Sequence, residues 1–343
     1  MKAFRIGVMT VLLWTLPARA WDYEGHRVVN QIALASLPTN FPAFVATPEA
    51  AERIAFLSGE ADRWRNTPDL ALKHCNGPDH YIDLEELADH GLKPAALPPL
   101  RYDFVTLLAS NRTVQPEKFP AIDPGQDKDH TKPLVGLLPW AITENYAKLK
   151  SGFSYLKTFE QFGGTPEEIA NAKANILYIM GVMGHYVGDG AQPLHTTIHH
   201  AGWVGENPNG YTAWKGVHQW IDGGYFNKVG IPTVEELKPA LRPARRLQLG
   251  ERPARPEETM LAVVQFIETT FQQVEPLYQL DKTRSLSGEG EDGLRGKEFL
   301  TKQLIAGGQM LGDLWYCAWQ DAPTDEYLKR QLTKRKSAGA VNE

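Results

Sequence analysis

The sequence predicts an all-α protein. Three observations carry this. Apolar residues recur at helical spacing through five long stretches. Hairpin dipeptides between alternating polar and apolar runs, the usual mark of paired strands, are missing. The chain has 343 residues and is 42% hydrophobic and 22% charged, which excludes collagen-like, coiled-coil, disordered and disulfide-dense classes and leaves an ordinary globular protein.

The elements follow in chain order. Residues 1–20 have the layout of a secretory signal. Lys2 and Arg5 precede an apolar run, and Ala18-Arg19-Ala20 offers small residues for cleavage. The run is shorter than the ~20 residues of a spanning helix. Cleavage after Ala20 would start the mature chain at Trp21 and place it outside the cell or in the periplasm. It would also remove three positive charges from a chain that carries −5. Such compartments permit disulfides, and Cys75 and Cys317 could pair there or stay free.

Helical periodicity then marks residues 28–37, 140–159, 169–187, 260–280 and 299–319. Pro166-Glu167-Glu168 suits a helix start, because proline fits the first turn and acids favour the N-terminal dipole. Residues 92–139 carry eight prolines and read as a long, partly irregular excursion. Residues 197–211 read as a Gly/Asn/His-rich loop and 242–256 as a basic, proline-rich connector. No composition break divides residues 21–343, so one domain is expected. No basic excess suggests a duplex-binding groove.

The histidines are the informative feature. His185 and Asp189 are four apart on a helical stretch and so share a face. His195 follows Pro193, which ends that helix and lets the chain turn back. His218 and Asp222 repeat the spacing. A single such pair is common on helix surfaces. Two pairs with a third histidine between them make a plausible multi-zinc site, since zinc takes imidazole and carboxylate ligands. Upstream, His26 opens the mature chain, Asp62 lies at the end of an expected helix, and His80 sits in Pro78-Asp79-His80-Tyr81-Ile82-Asp83. Taken singly, each of these three is more often a capping or packing residue.

Together, in order, these residues resemble the S1/P1 nuclease family, secreted zinc-dependent single-strand nucleases and 3′-nucleotidases that share an all-α fold with zinc-dependent phospholipases C. The stretch Gly188-Asp189-Gly190-Ala191-Gln192-Pro193-Leu194-His195 carries most of the resemblance, supported by Ala141-Ile142, Asn145-Tyr146 and Ala306–Leu311. The resemblance implies three Zn2+. Asp62, His80, His185 and Asp189 would hold one, and His195, His218 and Asp222 a second. The third would take the α-amino nitrogen and carbonyl oxygen of Trp21, with His26 and the other oxygen of Asp189. A free α-amino group has a pKa of about 8, so a metal can displace its proton near neutrality.

The implied reaction is phosphoester hydrolysis by a zinc-activated hydroxide, with Asp62 orienting the attacking water and Arg65 stabilising charge on the phosphate. Tyr81 and Asp83 would line a nucleobase pocket. The pocket's usual asparagine falls on Val204, while Asn207, Asn209 and Trp203 lie nearby in the same loop. The His80–His185 interval is roughly fifty residues longer than the family's, an insertion at about 84–138. A phospholipase C-like esterase or a non-catalytic zinc-binding protein are the alternatives on the same scaffold. Substrate aside, no stable partner or membrane span is implied.

Overall fold

The computed structural model describes residues 21–247 and 255–340, and within them the chain is all-α. The expected signal segment and part of the basic connector lie outside the described residues. Among those described, no helix is long and apolar enough to cross a membrane.

Helix α1 (Tyr23–Ser36) is capped by Asp22, whose carboxylate accepts from the Tyr23 N–H. Thr47 caps α2 (Pro48–Leu57), its hydroxyl accepting from the Ala50 N–H. Short helices α3 (Glu60–Asn66) and α4 (Leu70–Asn76) follow. Within residues 92–139 the chain forms one longer helix, α5 (Arg101–Val114). Only Phe104 and Leu108 of that helix are buried, so its apolar period was too thin to read. Helix α6 (Leu138–Phe162) ends on Gly163, and α7 (Pro166–Gly190) opens on a Thr165/Glu168 capping box.

Helices α8 (Val217–Gln219), α9 (Tyr225–Val229) and α10 (Val234–Leu237) are short. The expected single helix over 260–280 is two, α11 (Pro256–Phe271) and α12 (Val274–Lys282), with a break at Gln272-Gln273. A turn-length α13 (Gly290–Gly293), the long α14 (Gly296–Gln320) and α15 (Glu326–Ala340) complete the order. Cys75 is exposed on α4 and Cys317 buried on α14, and both are free.

The core is built around α1, α6, α7 and α14. Glycines let these helices approach closely. On α14, a Cβ at Gly308 would collide with Ile32, and one at Gly312 with Ser36. On α7, Gly181 faces Leu57, Gly184 faces Asn30, and Gly188 faces the His26 ring. The buried Asn30 amide uses this proximity, donating to Ile54 O at 2.8 Å and Gly181 O at 3.1 Å. One buried side chain thus ties α1 to both α2 and α7.

The segment at about 84–138 is knitted in at both ends. Its start gives Leu84 N to Thr196 O at 3.2 Å, and Glu85 accepts from Thr197 Oγ1 and Ile198 N. Its end gives Leu137 N to Pro78 O, Leu138 N to Tyr81 O and a lone antiparallel bridge between Ile82 and Gly136. Gly136 has φ +98°, and a Cβ there would strike the Tyr81 carbonyl, so only glycine suits this contact. Arg101 of α5 adds a fork to Asp79, Nη1 to Oδ1 at 2.5 Å, and a second to Glu144 of α6. The segment around His80 is therefore gripped from two sides.

Candidate metal centre

The expected ligand side chains come from several local devices. His26 lies in the first turn of α1. Asp62 lies in the first turn of α3, not at a helix end as expected, because α2 stops at Leu57 and the chain re-enters helix after Ser58-Gly59. His80 closes a 3₁₀ turn opened by Pro78. His185 and Asp189 share the last turns of α7. Pro193 follows the end of that helix and opens a second 3₁₀ turn, which ends on His195. His218 and Asp222 sit where α8 widens into a π turn at Trp220–Gly224, a distortion common at functional sites.

These devices converge. Three groups of potential ligand atoms form: His26, His185 and Asp189; Asp62, His80 and His185; and His195, His218 and Asp222. In the second group His80 Nδ1 is 3.0 Å from His185 Nε2 and 4.0 Å from Asp62 Oδ1. Asp189 reaches two groups. Its Oδ2 is 3.0 Å from His80 Nδ1, and its Oδ1 is 3.5 Å from His26 Nε2. In the third group His218 Nε2 lies 3.0 Å from both His195 Nε2 and Asp222 Oδ2. Trp21, just before α1, is fully buried. Its indole donates to Gly188 O at 3.0 Å, and Asp22 N donates to Asp222 O.

Backbone carbonyls fix the ring orientations. His185 Nδ1 sits 2.7 Å from Ser58 O, and His195 Nδ1 2.5 Å from His80 O. A carbonyl can only accept, so both Nδ1 atoms carry a proton and both Nε2 atoms face the cluster. Gln192 holds Asp222 by donating to its Oδ1 at 2.7 Å.

Burial dominates the electrostatics. It holds His26, His80 and His195 well below the ordinary imidazole value, with neighbouring cationic groups adding to the effect. His185 is raised, because the Asp189 and Asp62 carboxylates outweigh its burial. Burial pushes Asp189 up to about 6 and raises Asp222 as well. Both ring nitrogens of His26, Nε2 of His80 and Asp189 Oδ1 are buried without a hydrogen-bond partner. So many unsatisfied polar atoms in one place are costly unless something cationic completes them.

A cavity of about 330 Å³ opens beside the third group, lined by Arg65, Tyr81, Asp83, Leu194, His195, His200 and His218. Arg65 donates to Asp62 Oδ1 at 2.7 Å and so bridges the ligands and the cavity. Burial, then Glu86 and Glu85, pushes Asp83 up to about 8. The loop after His195 supplies no asparagine to this cavity. Asn207 is bonded both ways to the Tyr211 backbone, and Asn209 faces the Tyr211 hydroxyl. Val204 is half exposed, and Trp203 packs on His199 at 3.8 Å between ring centres. His200 is the loop's contribution instead. Its only sequence signal was its place beside His199 in a loop between two ligands. The roles of Ser58 and Gln192 had less, since a carbonyl acceptor leaves no mark in sequence.

The fold and the site define an all-α chain with three buried His/Asp groups that could each hold a metal ion. Searches against protein-family models and against curated proteins find no match.

Proposed function

We propose that this chain is a zinc-dependent phosphoesterase that hydrolyses single-stranded nucleic acid and the 3′-phosphates of nucleotides. One observation carries the proposal. Three buried His/Asp groups meet at a single centre, and the cavity beside them presents a guanidinium, an aromatic ring and a carboxyl. Imidazole nitrogens and carboxylate oxygens without thiolates suit zinc, and the partnerless buried atoms fit a group that supplies positive charge. Trp21, through its amino nitrogen and carbonyl oxygen once residues 1–20 are removed, would complete the group around His26 and Asp189.

Bound zinc would supply Lewis acidity, bringing the ionisation of water near neutral pH and offsetting phosphate charge. The protein's own residues do the rest. Asp62, whose Oδ1 accepts from Arg65, would orient an attacking water. Arg65, at the cavity wall, can fork onto phosphate oxygens and stabilise charge that grows in the transition state. Tyr81 offers a ring face to a base. Below pH 8 the Asp83 carboxyl keeps its proton, so it both donates and accepts toward a base edge. These polar walls favour a nucleotide over a lipid chain.

A substrate panel tests this directly. Mature, zinc-loaded protein should hydrolyse single-stranded DNA, RNA and 3′-AMP, and chelator should abolish the activity. Turnover of phosphatidylcholine alone would point to the phospholipase alternative. Absence of any phosphoester hydrolysis would leave only metal binding.

The Asp83 carboxyl predicts a pH signature. KM for 3′-AMP should rise as pH passes through about 8, where the proton leaves, and Asp83→Asn should flatten that rise. The sign for stability is fixed by the same shift. The unfolded carboxyl loses its proton near 4 and the folded one near 8, so Asp83 costs stability increasingly as pH climbs between them. A denaturant midpoint for Asp83→Asn that does not exceed wild type at pH 8.5 would contradict this.

A further inference from the structure

A second opening reaches the same ligands across α3. It is a groove of about 560 Å³ whose walls include Tyr23, His26, Phe56, Gly59, Asp62 and Asn66. Helix α3 divides the two openings. Arg65 lines the Tyr81 cavity, while Asp62 and Asn66 line this groove. Phe56 is 51% exposed near the end of α2, and it lines the groove. Tyr23 lies flat against Gly59, where a Cβ would come within 2.7 Å of its ring, so glycine is what admits the ring to the groove. His26, fully buried and with both ring nitrogens partnerless, forms part of the floor.

We propose that the Tyr23–Phe56 groove is a second nucleotide subsite, taking the base on the far side of the scissile phosphate from the Tyr81 cavity. This rests on the phosphoesterase reading. A phosphodiester has a nucleoside on each side of phosphorus. If one lies by Tyr81 and the phosphate meets Asp62 and Arg65, the other leaves through the opening that Asp62 also borders. The two aromatic rings offer stacking faces to a base, while Glu60 and Arg63, which pair with each other, and Asn66 and Thr67 complete the walls, so the groove selects strands over mononucleotides.

The test is Phe56→Ala, an exposed change that spares the core, with Phe56→Trp as the conservative partner. Steady-state kinetics are read on a single-stranded oligonucleotide and on 3′-AMP, which has nothing on the far side of its phosphate. Phe56→Ala should raise KM for the oligonucleotide about tenfold, leave 3′-AMP within about twofold, and be rescued by Phe56→Trp. Equal losses on both substrates, or no change on either, would overturn the subsite while leaving the phosphoesterase reading intact. Wild-type protein inert on both substrates would sink that reading and the subsite with it.

Discussion

Asp189→Asn should lower kcat/KM on any accepted phosphoester by on the order of a thousandfold, about 4 kcal/mol of transition-state stabilisation. Its two oxygens face separate groups, Oδ2 toward His80 and His185 and Oδ1 toward His26. An amide keeps one oxygen and turns a donor toward the other group. Metal analysis should therefore show at least one equivalent lost. The stability effect should change sign with metal. Burial pushes the Asp189 carboxyl up to about 6, so above that pH the metal-free fold pays for a charge it does not want. In chelator at pH 8, Asp189→Asn should melt higher than wild type, by about 1–3 kcal/mol. In excess zinc it should melt lower. A variant less stable than wild type in both conditions would show that Asp189 is held by the protein rather than kept for a metal.

Gly188→Ala should be nearly as damaging, although it alters no ligand. The new methyl would sit 2.7 Å from His26 Nδ1, on a helix backbone that cannot retreat. Overpacking of this kind costs roughly 1–3 kcal/mol. The ring that must yield is stacked on His185 at 3.9 Å between centres, so the group of His26, His185 and Asp189 would be the one disrupted. The expected result is loss of one metal equivalent, with the His195, His218 and Asp222 group still filled. Gly184→Ala is the comparison, since its methyl would collide with the Asn30 amide and loosen α1, α2 and α7 together. Full metal content in Gly188→Ala would refute the assignment of His26.

The sequence made some of this legible and hid the rest for physical reasons. His185 and Asp189 were readable because helical spacing alone puts them on one face. The long helices were readable because each buries a continuous stripe. The split at Gln272-Gln273 was not, because apolar period continues across it while the backbone does not. Helix α5 hides behind its two buried residues. Asp62 was placed at the wrong end of a helix, because α3 is barely two turns long and its entry at Gly59 has no side-chain cap. The convergence of His26, Asp62 and His80 with the α7 ligands depends on contacts between distant segments, which no local pattern encodes. The second groove was invisible for the same reason, with Tyr23 and Phe56 far apart in sequence.

The glycine-lined packing of α1 has a consequence for how the chain matures during synthesis. Helix α1 is made before α7 and α14, which with α2 are its neighbours, so its permanent seat is complete only once Gly296–Gln320 has been made. Contacts of such long range close slowly, because loop entropy must be met before they form. Until then the apolar face of α1 and the His26 ring have no stable cover, a state open to aggregation or to helpers that bind it. An early helix is thus among the last to settle, and the centre it completes should be the final part of the molecule to acquire its shape.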